Sequence, residues 1–228
     1  MIKLLNDGLP VFPLSAGLVR IQSLYRSYGT NFDFLRFYCQ IIDDQVTAVM
    51  SIMDGNATIV SNNADYDEII DFLAVIGAKT VYSESKLPLE IVEYGYVVNK
   101  SVVPIKAKLN ECKLSSVYDI MSTSFLLPDF DTWYPDMSHR IRHNGAVAIS
   151  NKIGASIGLK GDNCALISGI CINKNERKKG QGSQLLQELV ENLSSSEIYA
   201  LVDINGPIEF YTKNGFSIVS EFSTYKVK

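Results

Sequence analysis

Along residues 34–62 apolar and polar positions alternate in three short runs, FLRFYCQII, VTAVMSIM and NATIVSN, separated by Asp43-Asp44-Gln45 and by Asp54-Gly55. β-Branched and aromatic residues in a two-residue period, broken by Asp-Asp and Asp-Gly, predict an antiparallel meander. The period then changes. From Tyr66 to Ile76 the residues Ile69, Ile70, Leu73 and Ile76 fall on one helical face, Gly77 stops the helix, and KTVYSE follows as a strand. The first half therefore predicts β-β-β-α-β.

The second half repeats that order. VYDIMSTSF and PDMSHRIRHN read as helices, and AVAIS, ASIGLK and CALISGICI as strands around the turn Gly161-Asp162-Asn163. After a basic, glycine-containing loop, SQLLQELVENL places Leu185, Leu186, Leu189, Val190 and Leu193 at helical spacing, and the strand EIYALVD follows. The two ends also share text: Pro88-Leu89-Glu90-Ile91 leads to Gly95-Tyr96, and Pro207-Ile208-Glu209-Phe210 leads to Gly215-Phe216. A Lys-x-Lys begins ten positions after each aromatic, at Lys106 to Lys108 and at Lys226 to Lys228. The shared order predicts an internal duplication, with one α/β domain over 1–109 and a second over 110–228. Short patterns of this kind also recur by chance among sheets with glycine turns.

Composition narrows the function classes. With 228 residues and 46% hydrophobic positions, the chain can close a core, and no apolar run approaches the roughly 20 residues that span a bilayer. The net charge of −4 is spread evenly, with ten basic and thirteen acidic residues in 1–113 and eleven and twelve in the rest. Only Arg177-Lys178-Lys179 forms a basic cluster, too little to displace counterions along a duplex, which argues against nucleic acid as partner. The start, MIKLLNDGLPVFPLSAG, carries Asn6, Asp7 and two prolines where a secretion signal would have an unbroken apolar stretch, so a cytoplasmic protein is expected. Cys39, Cys112, Cys164 and Cys171 form no C-x-x-C pair, and His139 and His143 are the only histidines. A zinc ribbon or finger is excluded, and the cysteines read as small core thiols.

The segment Ile170 to Ser183, ICINKNERKKGQGS, carries the chemistry. A strand runs into a turn with Gly180 and Gly182 and then directly into a helix. Glycine admits positive φ and leaves no side chain between the N–H groups and a ligand, so successive amides can converge on an anion. The helix N-terminus adds unsatisfied N–H groups and a positive dipole end, and three adjacent cations strengthen the field. Together these would cradle a pyrophosphate, with Ser183 capping the helix or donating its hydroxyl. The same residues would also serve as a solvated turn before a capped helix. The lysine of a P-loop is missing between Gly182 and Ser183, and Leu185 stands where a dinucleotide fingerprint needs its third glycine.

What Arg177-Lys178-Lys179-Gly180-Gln181-Gly182 does resemble is the acyl-CoA motif of the GNAT superfamily of N-acyltransferases, Arg/Gln-x-x-Gly-x-Gly/Ala. Phe210-Tyr211-Thr212-Lys213-Asn214-Gly215-Phe216 is similar to that family's terminal Phe-Tyr-x-x-x-Gly-Phe. The resemblance covers residues from about 110 to 228 and implies an α/β fold of two GNAT-like domains, each a mixed, mostly antiparallel sheet flanked by helices. It implies that Ile170, Cys171 and Ile172 lend main-chain groups to a pantetheine arm, and that the amides of Lys178, Lys179, Gly180, Gln181, Gly182 and Ser183 hold the pyrophosphate of acetyl-CoA. Two positions depart from the pattern: Lys174 replaces a common proline, and Asn205 stands six residues before Tyr211 where seven is commoner.

Acyl transfer to nitrogen needs an attacking neutral amine, a donor for the oxyanion and a proton for the departing thiolate, and a phenol can supply that proton. By its place in the motif Tyr211 is the expected general acid; a purely packing role is the other reading. His139 and His143 stand four apart, on one face if 136–144 is helical, and histidine has the pKa of a base. The resemblance places that helix and the loop Asp129 to Tyr134 beside the acceptor, although a solvated polar face would look the same. A metal site is not expected from two ligands alone. The first half has no glycine or arginine between NATIVSN and its helix and no tyrosine near Glu90 to Glu93, so it reads as a degenerate, non-catalytic copy. The expected function is transfer of an acetyl group from acetyl-CoA to the primary amine of a small molecule or peptide. A non-catalytic acyl-CoA sensor is the alternative, and neither reading involves a membrane.

Overall fold

The computed structural model describes residues 1–105 and 112–227, so Lys106, Lys108, Lys228 and the boundary expected near residue 109 lie outside the described residues. After a short strand β1 (Ile2–Leu4) and a helix α1 (Ala16–Tyr28), the meander forms as β2 (Leu35–Ile42), β3 (Gln45–Met53) and β4 (Asn56–Ser61). Both hairpins turn on two residues with positive φ, Asp43 and Asp44 at 48° and 60°, and Asp54 and Gly55 at 50° and 80°. That mirror-image turn follows the right-handed twist of the strands, which is why Asp-Asp and Asp-Gly signalled it. Helix α2 (Tyr66–Val75) buries Ile69 and Leu73, and β5 (Thr80–Ser83) and a long β6 (Glu90–Ser101) complete the first half. The second half comprises α3 (Leu114–Met121), α4 (Phe130–Arg142), β7 (Ala146–Ser150), β8 (Gly154–Lys160), β9 (Cys164–Ile172), α5 (Gln181–Leu193), β10 (Glu197–Asp203), α6 (Ile208–Lys213) and β11 (Ser217–Lys226).

All eleven strands join one sheet, in the order β1-β2-β3-β4-β5-β11-β6-β10-β9-β8-β7. Two neighbour pairs are parallel, β4 with β5 and β9 with β10, each over four residue pairs, and the other neighbours are antiparallel. The expectation of a separate sheet in each half is thereby modified. β6 of the first half lies against β10, β11 of the second lies against β5, and the two pair with each other. Exchange covers the inner edges of β5 and β10, which two separate sheets would leave open.

The textual repeat and the structural one differ. Pro207 leads into helix α6, whereas Leu89 and Glu90 lead straight into strand β6. Gly215 sits in a turn at φ 85°, whereas Gly95 lies mid-strand, where a Cβ would stand 2.9 Å from Phe222 and closer still to the Val202 carbonyl. The two glycines answer different steric needs.

Alternation along the strands assigns the helices to two layers. On one face Ala57 and Ile59 meet α2, while Ala165, Ile167, Ile198 and Ala200 meet α5 and α6. On the other, Phe37 and Val49 meet α1, as do Cys164, Leu166 and Tyr199, and Ala146 and Ala148 meet α3 and α4. Helix α1 touches β3 and β4 but also β8, β9 and β10, strands far apart in the sheet order. The sheet therefore curls around α1. Ser15 caps this helix by accepting from the Leu18 N–H at 3.1 Å, and the Gly17 N–H donates to Glu84 Oε1 at 2.8 Å. Among the described residues no helix is long and apolar enough to cross a membrane.

Candidate active site

β9 and β10 pair in parallel from Cys164 to Ile167 and from Glu197 to Ala200, and then part. Beyond that point β9 stays with β8 through Ile172, and β10 stays with β6 through Asp203. A gap therefore opens between residues 168–172 and 201–203, with one side of β9 free of a strand partner. Ile170 and Ile172 pack toward α5, and the buried Cys171 faces α3, its Sγ 3.4 Å from the Ile120 carbonyl and 3.3 Å from Ser124 Oγ.

The loop leaving this strand makes one short helical turn at Lys174–Glu176 and then takes positive φ at Lys178, 61°, and at Gly180, 78°. Ser183 N and Gln184 N donate back to the Gly180 carbonyl. The N–H groups of Lys178, Lys179, Gly180, Gln181 and Gly182 have no acceptor among the described residues. Five successive donors at the positive end of a thirteen-residue helix form a surface suited to a pyrophosphate. Gly180, with positive φ, is the residue flanking the helix, and it makes no side-chain cap. Ser183 is thus the third helical residue rather than the cap, with its hydroxyl free of partners among the described residues.

The three cations of the loop divide their work. Arg177 turns inward, Nε donating to the Ile172 carbonyl at 2.9 Å and Nη2 to Ser124 Oγ at 3.1 Å. Lys179 pairs with Glu176 at 3.1 Å, and Lys178 stays exposed. Gly182 lies against α6, since a Cβ there would stand 3.1 Å from Phe210 Cε2.

α6 carries Tyr211 into the cluster that also holds Ile170 and Ile172. Its ring meets Phe216 edge-on at 5.6 Å and Phe210 at 5.2 Å. The hydroxyl bonds to no described residue, and since no fully enclosed side-chain N or O atom among the described residues lacks a partner, this oxygen is not fully enclosed. Burial pushes the phenol pKa up to about 12, which holds the proton on oxygen at neutral pH. Asn205 lies exposed in the turn before α6, its N–H donating to Asp203 Oδ1 at 2.8 Å. Beside α5 runs a cleft of about 360 Å³ bounded by Lys100, Ser183, Gln184, Gln187, Asn214 and Phe216. Lys100 Nζ donates to the Asn214 carbonyl at 2.9 Å and lies 5.9 Å from the Phe216 ring centre. Sequence reasoning missed Lys100, because it arrives on the exchanged strand β6, and missed Ser124, which lies 53 residues from its partner Arg177.

Residues 142–218 match the acetyltransferase (GNAT) domain. By this match the segment is similar to that family. The whole chain is similar in fold to a GCN5-related N-acetyltransferase from Sphaerobacter thermophilus, with TM-score 0.59 and 14% identity over 91% of this chain and 85% of that one. It is likewise similar to one from Kribbella flavida, with TM-score 0.57 and 12% identity over 92% and 95%. A tandem GNAT protein from the clavulanic acid biosynthesis pathway, solved without AcCoA, aligns with TM-score 0.53 and 10% identity over 90% and 87%. No curated protein matches the chain.

The histidines lie apart from Tyr211, on the other face of the sheet. His139 Nε2 donates to the Ser27 carbonyl at 2.8 Å and its ring stacks on Tyr28 at 4.6 Å, while His143 Nδ1 donates to the His139 carbonyl at 2.9 Å. Tyr28 also bonds to Asp136, which accepts from Arg140 Nε at 2.9 Å. The contacts of His139 and Asp136 join α4 to α1 on the face opposite α5 and α6, while His143 bonds only within α4.

The first half handles the same position in the fold differently. Where β4 leads into α2, Asp65 Oδ1 accepts from the Glu68 N–H at 3.1 Å, and Glu68 pairs with the terminal amine at 2.8 Å. Gln40 bonds to both Asp65 and Glu68, and the amine with Gln40 holds the Glu68 carboxyl below its usual range. The helix end already has its own carboxylates, which repel a second anion. No helix stands between β5 and β6, so the first half has no counterpart of α6 or of Tyr211.

Proposed function

We propose that the protein transfers an acetyl group from acetyl-CoA to the primary amine of a small molecule or peptide. The observation that carries this reading is the row of five unpaired amides from Lys178 to Gly182 next to a gap whose cluster includes the protonated, unpartnered Tyr211. In this reading the amides of Lys178 to Ser183 hold the pyrophosphate, with Lys178 adding charge, and main-chain groups of Ile170, Cys171 and Ile172 line the pantetheine arm. Arg177 acts as a positioning residue by tying the loop to the strand end and to Ser124. Asn205, exposed in the turn after β10, contributes its amide to the arm in this reading.

The amine nitrogen attacks the thioester carbonyl, the C–N bond forms and the C–S bond breaks. Tyr211 gives its proton to the departing sulfur, and the nitrogen loses one to solvent, which later reprotonates the phenolate. Its high pKa suits this role, because the donor must arrive protonated. In this reading His139 fixes α4 against α1, the wall on the opposite face of the sheet, and His143 bonds back within α4. The first half is read as a degenerate copy that supplies β6 and α1 and no cradle.

Calorimetric titration of acetyl-CoA into the wild type and into Gly180→Glu tests the cradle. Micromolar binding that is lost in the variant supports it, and no binding to the wild type overturns the reading. Turnover of an amine panel then separates an enzyme from a sensor: binding without any transfer rejects the transferase.

A further inference from the structure

A second cavity, of about 260 Å³, lies on the face that carries α1 and α4, away from the amides of the loop. Arg20 and Leu24 of α1, Ser51 and Met53 of β3, Thr58 of β4 and Arg140 of α4 line it. Its walls thus come from both halves of the chain.

The polar groups here are unusually short of partners. The Arg20 guanidinium stacks over the Tyr82 ring at 4.5 Å but makes no ion pair or hydrogen bond with a described residue. Ser51 is 1% exposed and Thr58 5%, and neither hydroxyl has a partner among the described residues. Since every fully enclosed side-chain N or O atom among the described residues is bonded, neither hydroxyl is fully enclosed, and both residues line the cavity. Arg140 uses Nε on Asp136 and Nη2 on Met53 Sδ, at 2.9 and 3.7 Å, leaving further donors free.

The acids nearby do not answer these donors. Asp136 is taken by Arg140 and Tyr28, and Glu84 by the Gly17 N–H and Ser220. Glu93 acts on Arg20 only from beyond ion-pair distance, and Asp54 lies exposed at the rim. Burial, and then the facing Arg140, work against the charge on Arg20. Two guanidinium groups and two hydroxyls face one space; Asp136 is bonded to Arg140 and Asp54 stands at the rim, so the wall holds more free donors than acceptors bonded to them.

We propose that this cavity binds the carboxylate of a small organic anion, held by the guanidinium groups of Arg20 and Arg140 and by the hydroxyls of Ser51 and Thr58. The planar fork of a guanidinium matches a carboxylate edge to edge. Asp54 at the rim repels a carboxylate monoanion less than a phosphate dianion, which favours the former. Because the ligand bridges α1 and β3–β4 of the first half to α4 of the second, binding stabilises the folded chain and does not require the acyl donor.

The test is calorimetric titration and thermal melting with acetate, succinate and inorganic phosphate at constant ionic strength, with chloride as reference. Saturable binding of a carboxylate, with a rise in Tm, is expected for the wild type. Arg20→Gln and the near-isosteric Thr58→Val should each raise its Kd by about tenfold or more. If Arg20→Gln does not fold, Thr58→Val decides alone. Absence of saturable binding beyond chloride overturns the site, as does carboxylate binding undiminished in Thr58→Val. Phosphate binding more tightly than both carboxylates overturns the choice of ligand.

Discussion

Arg177 Nε donates to the carbonyl of Ile172 at 2.9 Å, so the first residue of the glycine loop is bonded to the last residue of the strand that precedes it. The motif arginine is thereby a brace for the amides that follow. Arg177→Leu is expected to weaken acetyl-CoA binding by about tenfold to a hundredfold, the range for a charged hydrogen-bond donor, with the melting temperature little changed. Ser124→Ala should act in the same direction and less. Calorimetry on both variants checks this, and wild-type affinity in Arg177→Leu would show that the brace is idle.

Gly182 faces Phe210, with 3.1 Å left for a Cβ. Gly182→Ala should push α6 outward and carry Tyr211 with it, at a stability cost of about 1 kcal/mol. Because the amides stay in place, kcat should fall several-fold while the KM for acetyl-CoA changes little. Steady-state kinetics separates the two.

Tyr211→Phe removes the proposed acid and leaves the ring packing intact. A fall in kcat of about 10²–10⁴ is expected, with acetyl-CoA affinity retained. In the wild type the phenol, pushed up to about 12 by burial, should impose no loss of rate between pH 7 and 10. Stability follows the same shift: the folded phenol keeps its proton where the unfolded one, near the usual value of about 10, releases it. The contribution is complete below about pH 10 and declines as pH rises toward about 12, which melting curves across that window would reveal through a smaller decline in Tyr211→Phe.

Gly145 is where the second half touches α1: a Cβ would lie 2.7 Å from the Ser23 carbonyl and closer to Ser27 Oγ. Ser23 Oγ in turn donates to the Gly145 carbonyl at 2.7 Å. Gly145→Ala is expected to destabilise the fold by about 1–3 kcal/mol, read from chemical denaturation. Unchanged stability would mean that α1 is free to shift within the curl of the sheet.

The meander and the helices α2 and α5 were legible because their signals are local: Asp-Gly turns set hairpin geometry, and leucines at helical spacing face one sheet. Helix α1 was not. The sheet curls around it, so it is buried on several sides and uses Ala16, Gly17, Ser23 and Ser27 to let backbones approach, which blurs any amphipathic stripe. The cradle was legible from Gly180 and Gly182, whereas the inward turn of Arg177 depended on Ser124 and the place of the histidines on Ser27 and Tyr28. Pairings of that range leave no periodic trace in the sequence. The exchange of β6 and β11 escaped for the same reason: both strands have ordinary sequences, and only the neighbours differ.

That exchange bears on how the chain is made. β11, residues 217–226, lies sixth among eleven strands, at the midline of the sheet. During synthesis from the N-terminus, β5 and β6 emerge early yet remain unjoined until this late segment leaves the ribosome. The nascent chain must keep two strand edges from pairing wrongly over more than a hundred residues of growth, and the midline of the sheet is the last part of it to close.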